Sequence, residues 1–252
     1  MTRALFWISR CALALVCACG PAAAEGSARR ASLHSATQYI VGIDISGSRT
    51  GSQLKEESDV IDGLIARMSY GDRLVLIETY RTGLDSAGQW QDSVPLPRSS
   101  GRLTGGDRRK LEHFRIVAMQ IAGTFFDPAR YGRVASTDLF HTLSRAADYA
   151  RAANGRKTTV VLLSDMLQST REVNMERAGG IPSNAWTDAL KAQGRLPDLQ
   201  GVCVFVAGAD PASLHGAAVR AFWTHYFRAT GATFPNENYR NMVADPSAIR
   251  CG

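Results

Sequence analysis

The chain has 252 residues with a formal net charge of +6, and 45% of it is hydrophobic against 21% charged. That balance supports a sizeable core and excludes wholesale disorder, collagen and coiled coil. No apolar run reaches the roughly 18 to 20 residues of a spanning helix, which excludes a polytopic membrane protein.

Residues 1 to 24 read as an export signal. Arg3 and Arg10 carry positive charge, Cys11 to Cys19 is apolar, and Ala22-Ala23-Ala24 offers a small-residue cleavage site before Glu25. A second route is open, because Val16-Cys17-Ala18-Cys19-Gly20 resembles a bacterial lipoprotein signal with Cys19 lipidated, anchoring the chain to a membrane. Either route takes the chain out of the cytoplasm, to the periplasm or beyond. Cleavage after Ala24 leaves 27 basic and 23 acidic residues, a net charge of +4, and two of the five cysteines. Those two, Cys203 and Cys251, form a candidate disulfide in an oxidising compartment. Their bridge would close a 48-residue loop between positions 203 and 251, worth about 4 kcal/mol in the chain-entropy model. The alternative is a buried strand thiol and a free tail thiol.

Residues 25 to 37 are small, polar and aperiodic and read as a flexible leader, with one domain from 38 to 252. Tyr39 to Ile43 is a short apolar run suited to a strand buried on both faces. Leu54, Ile61, Leu64, Ile65 and Met68 share one helical face, and Leu74 to Ile77 is a second buried strand. This is the spacing of a parallel crossover unit. An edge hairpin strand is expected near Trp90 and Val94, limited by Pro95 and Pro97. Helices are expected over Arg108 to Phe126, ended by Asp127-Pro128, and from Ser136-Thr137-Asp138 through Leu139, Leu143 and Ala150. Thr158 to Leu163 is a third buried strand, followed by a short helix near Trp186 to Ala192. Val202 to Val206 is a fourth strand, and Ala217 to Thr230 a last helix. Alternating strands and helices predict a three-layer, doubly wound, mostly parallel α/β sheet with helices on both faces.

In such sheets ligands bind beyond the carboxyl ends of the strands. Asp44 and Asp165 both end a buried strand, where strand propensity does not favour aspartate. Ser46 and Ser48 add two hydroxyls within one turn of Asp44, and Thr137 adds a third at a helix start. Oxygen ligands without sulfur or imidazole suit magnesium or manganese rather than zinc.

Asp44-x-Ser46-x-Ser48, then Thr137 in Ser136-Thr137-Asp138-Leu139, then Leu163-Ser164-Asp165 resembles the metal-ion-dependent adhesion site of von Willebrand factor type A domains. The element order from about 38 to 230 is similar to that family too. The resemblance implies a Rossmann-like fold and a non-enzymatic interaction module. Ser46 and Ser48 would bind the cation directly, Thr137 directly or through water, and Asp44 and Asp165 mainly through water. One coordination position would be left for an acidic group of a protein partner. Many relatives have glycine before the threonine and after the last aspartate, where this chain has Ser136 and Met166.

The same residues have plainer readings. Ser46 or Ser48 can turn the chain while Ser52 caps the first helix, Thr137 or Asp138 can be an N-cap, and Asp165 can cap its own segment. Two further classes remain. One is an exported metal-dependent hydrolase or phosphatase using the strand-end aspartates, although the haloacid dehalogenase-like pattern wants aspartate where Ser46 stands. The other is a metal-free scaffold of the same fold. The sequence has no Gly-x-Ser-x-Gly elbow, phosphate loop or His-Glu-x-x-His. The five histidines are scattered, and a net charge near +4 on an exported chain gives little support for nucleic-acid binding. Val219, Phe222, Trp223, Tyr226 and Phe227 form an aromatic stripe expected to pack in the core.

Overall fold

The computed structural model describes residues 36–79, 89–97, 103–127, 136–177, 179–243 and 245–249. The expected signal, the leader up to residue 35 and Cys251 lie outside them.

The buried strands are those read from the apolar runs. β1 (Thr37–Ile43), β2 (Arg73–Glu78), β4 (Lys157–Leu163) and β5 (Cys203–Ala207) are parallel, and β3 (Gln89–Ser93) pairs antiparallel with β2. A two-residue β6 (Tyr239–Arg240) adds a parallel edge beside β5. It is too short to leave a pattern in the sequence. The order is β3-β2-β1-β4-β5-β6. The chain therefore winds outward from β1 in one direction, then returns to lay β4 on its other side, so the strand order reverses between β1 and β4. This crevice is where a doubly wound sheet places ligands.

Helices cover both faces. α1 (Gly51–Arg67) and α2 (Gly105–Phe125) bury Ile61, Leu64, Ile65, Phe114 and Ala118 against Val41, Ile43, Leu74 and Leu76. α3 (Leu139–Arg151), α4 (Asn184–Ala192) and α5 (Leu214–Ala229) cover Ile40, Val75, Val160 and Val204 on the opposite face. Alternate residues of β1 thus serve two separate cores, as the twofold side-chain period demands. Thr37, placed in the leader on sequence grounds, already pairs in the sheet with Lys157.

Two local choices set the crevice. Gly42 lies where a Cβ would come within 3.0 Å of both Leu162 Cδ2 and Thr142 Cγ2, so its bare backbone lets α3 close onto β1. The aromatic stripe of α5 is core, with Phe222, Trp223, Tyr226 and Phe227 all buried. Trp223 also donates its indole N–H to the Met166 carbonyl at 2.8 Å, tying α5 to the loop after β4. Among the described residues no helix is long and apolar enough to cross a membrane.

Truncating Trp223, which is fully buried, removes both its packing and that hydrogen bond. Trp223→Ala is expected to lower unfolding stability by about 3 to 5 kcal/mol, read as a fall in the urea midpoint with the slope unchanged.

Candidate functional site

The β1–α1 loop is shaped by its own polar groups. Asp44 Oδ1 accepts from the Ser46 N–H at 3.0 Å, and the Arg49 N–H donates to the Ser46 carbonyl at 3.1 Å. The start of α1 is capped by Thr50 rather than by Ser52. The Thr50 hydroxyl accepts from the Gln53 N–H, and the Gln53 side chain accepts from the Thr50 N–H, closing a capping box. With the helix capped by Thr50, Ser46 and Ser48 have no helix end to satisfy.

The same division of labour appears at α3. Thr137 does not begin the helix. Asp138 is its N-cap, accepting from the His141 N–H at 3.1 Å, and Gln168 Oε1 accepts from the Leu139 N–H at 2.7 Å. The Thr137 hydroxyl is left to donate to Asp44, at 3.2 Å from Oδ1 and 3.4 Å from Oδ2.

The five residues singled out from sequence meet in one place. Ser46 Oγ and Ser48 Oγ are 2.9 Å apart, and Ser48 Oγ donates to Asp165 Oδ2 at 2.7 Å. Asp165 Oδ1 also accepts from the Leu167 N–H at 2.9 Å. Asp165 therefore both turns its own loop and reaches the serines. Three of the set are buried, Asp44 wholly, Thr137 at 1% and Ser46 at 6% exposure, whereas Ser48 is exposed and Asp165 half-buried. The cluster offers two carboxylates and three hydroxyls, and it opens on the Ser48 and Asp165 side. Among the described residues no group of three or more His, Cys, Asp or Glu side chains comes together, so this mixed set is chemically distinct from a carboxylate or imidazole cage.

Burial pushes the Asp44 carboxyl above its ordinary value of 3.8, and the neighbouring Asp165 charge pushes it the same way. Hydrogen bonds from Ser164 and Ser46 oppose the shift, with Ser164 Oγ donating to Asp44 Oδ2 at 2.7 Å. Ser164 lies inside the quoted motif, yet nothing in the spacing marks it as the anchor of Asp44.

Two other residues take part in ways that the sequence pattern does not show. Arg49 is 8% exposed and pairs with Glu57 of α1, itself 3% exposed, while donating to the Gly208 carbonyl at 3.0 Å. Burial lowers the Arg49 pKa, with the charges of Asp165, Asp44 and Glu56 opposing it. Gly208 has φ +100, and a Cβ there would lie 2.4 Å from Arg49 Nη2. Met166, the second unexpected participant, has φ 66, a left-handed backbone costly for a side chain with a Cβ. This is the position after Asp165 where many relatives of the resembled family have glycine. Here the side chain is fully buried, and Ser164 Oγ and Trp223 hold its N–H and carbonyl.

No family model matches the sequence, and no curated protein matches it. Among solved structures, the chain is similar to a von Willebrand factor type A protein from Catenulispora acidiphila, at 13% identity and a TM-score of 0.40. That match covers 85% of this chain but only 40% of the other. It is also similar to the manganese-loaded TRAP protein of Plasmodium vivax, at 13% identity and a TM-score of 0.36, covering 80% of this chain and 68% of that one. The likeness is to von Willebrand A-like α/β folds and goes no further than the fold.

The raised Asp44 pKa gives a signed expectation. In the folded state its charged form is disfavoured, so its ionisation costs stability, fully above the folded pKa and not at all below the unfolded value near 3.8. In chelator, wild type should gain stability relative to Asp44→Asn as pH falls through that window. Parallel urea melts of the two proteins from neutral pH to about 4 measure it, and a pH-independent difference would contradict the assignment.

Proposed function

We propose that this is an exported, non-enzymatic protein-interaction module. It holds a divalent cation, Mg2+ or Mn2+, through Asp44, Ser46, Ser48, Thr137 and Asp165, and engages an acidic group of a protein partner. The observation that carries this reading is the convergence of three loops on one oxygen cluster at the switch between β1 and β4.

The donor set fits such an ion. Adjacent ligands of an octahedral Mg2+ at 2.0 to 2.1 Å are separated by about 2.9 Å, and the two serine oxygens stand 2.9 Å apart. The two carboxylates balance the charge of the cation. Neutral hydroxyls as direct ligands leave it electrophilic towards an incoming carboxylate, and the exposed Ser48 side is the approach. When bound, the cation supplies a Lewis-acid contact for that carboxylate, while Ser164 and Thr137 keep Asp44 in place.

The burial of Asp44 favours this over phosphoryl transfer. Its carboxylate is wholly buried and accepts from Ser46, Thr137 and Ser164, whereas a nucleophile must reach its substrate. Export follows from the signal-like first 24 residues, with cleavage after Ala24 and the periplasm or the exterior as destination. Lipidation at Cys19 is the other outcome of the same test. We also place the Cys203–Cys251 bridge in the exported protein. Cys203 is 7% exposed in β5, and an oxidising compartment preserves such a bond.

Calorimetry with Mg2+ and Mn2+ tests the cation site. Wild type should bind, and Asp44→Ala and the double variant Ser46→Ala/Ser48→Ala should lose at least tenfold in affinity. At a free ion concentration of a hundred times Kd the wild type should gain about 2.7 kcal/mol of stability. Absence of any cation binding would sink the reading. Intact-mass analysis of the protein from fractionated cells, without reductant, checks the rest. It should show an N-terminus at Glu25 and the two-hydrogen mass loss of one disulfide; an unprocessed cytoplasmic chain would contradict export.

A further inference from the structure

Beside the oxygen cluster, but not including it, a cavity of about 500 Å3 opens between α3, α4, α5 and the loop after β4. This is the size of a small-molecule site. Its wall is a run of three rings. The Phe140 centroid is 5.5 Å from that of Trp186 and 5.2 Å from that of Tyr226.

The polar groups in this cavity are unevenly used. Tyr226 is 2% exposed and lines the cavity, and among the described residues its hydroxyl has no hydrogen-bond partner. Burial, with a smaller push from Asp138, raises its pKa well above that of a free phenol, so it stays a neutral donor. Asp138 spends Oδ1 twice, on the His141 N–H and on Gln168 Nε2, both at 3.1 Å. Among the described residues its Oδ2 takes no hydrogen bond. Arg171 and Arg195 also line the cavity. Among the described residues neither meets a carboxylate, and the Arg195 guanidinium donates only to the Gln193 side chain, at 3.4 Å.

Two guanidinium groups and two carboxylates, those of Asp138 and Glu172, line one cavity. A lone organic cation would gain from the rings and Asp138 but meet the arginines. A lone anion would gain from the arginines but meet the carboxylates. A ligand carrying both charges satisfies both sets, and its neutral sum matches the neutral sum of the wall. We propose that this cavity binds a zwitterion of amino-acid type. Its ammonium lies against the rings and Asp138, its carboxylate is held by Arg171 and Arg195, and its apolar side chain stacks on Trp186 and Phe140. The inference stands apart from the cation reading, since none of the five clustered oxygen residues lines the cavity.

Calorimetry on the full chain in chelator, where the cation site is silent, tests it with three probes that differ only in charge. L-phenylalanine carries both charges, phenethylamine the cation and 3-phenylpropanoate the anion. L-phenylalanine should bind at least tenfold more tightly than either of the others. Arg171→Ala, at an exposed position, should weaken L-phenylalanine and 3-phenylpropanoate at least tenfold and leave phenethylamine unchanged. Asp138→Asn, which keeps an acceptor for the α3 cap, should weaken L-phenylalanine and phenethylamine and spare 3-phenylpropanoate. Equal affinities for the three probes, no binding of L-phenylalanine at millimolar concentration, or indifference to both substitutions would overturn the proposal.

Discussion

The buried carboxylate of Asp44 is the constraint on which the site depends. It ends β1 at the point where the sheet reverses, and it draws a hydrogen bond from each of three chain segments: its own loop through Ser46, the approach to α3 through Thr137, and the end of β4 through Ser164. A charged group at zero exposure is costly unless its partners are fixed. The partners are fixed because Ser46 sits in the short loop ahead of capped α1, Thr137 stands just before the Asp138 cap of α3, and Ser164 directly follows β4. Fold and site are thus two views of one arrangement. The sheet brings the loops together, and the carboxylate sets how they meet.

A second buried charge, Arg49, stands next to the first. Its pairing with Glu57 anchors the β1–α1 loop to α1, and its bond to the Gly208 carbonyl anchors it to the end of β5. One atom on each partner, Arg49 Nε and Glu57 Oε2, is buried without a hydrogen bond, so the pair is imperfectly compensated. Such pairs are weak sources of net stability but strict about geometry, since removal of either member strands the other. The glycine at 208 belongs to this arrangement, because a Cβ there would take the space of the guanidinium.

Much of this was legible in the sequence, for identifiable reasons. Buried parallel strands such as β4 show as unbroken apolar runs. The oxygen ligands show because aspartate at a strand end is out of place. Helix caps were harder to assign. Thr50 and Ser52 are equally good cap residues on paper, and only the chain's path shows that Thr50 is used. Arg49, Glu57, Gln168 and Ser164 gave no signal, because their roles come from long-range burial and not from local spacing. β6 was invisible because two residues have no period. Met166 shows how tertiary packing overrides local preference. Its side chain fills the core and its backbone groups are held on both sides, so a residue with a Cβ occupies a conformation usually left to glycine.

The capping of α3 by Asp138 rather than Thr137 has an evolutionary consequence. Thr137 has no helix end to hold, and its hydroxyl reaches Asp44 from just before the α3 cap. A lineage could lose that hydroxyl in one codon step and regain it in another without dismantling the helix. The oxygen cluster can therefore drift in and out of use on an unchanged scaffold, a freedom that the buried and multiply bonded Asp44 does not share.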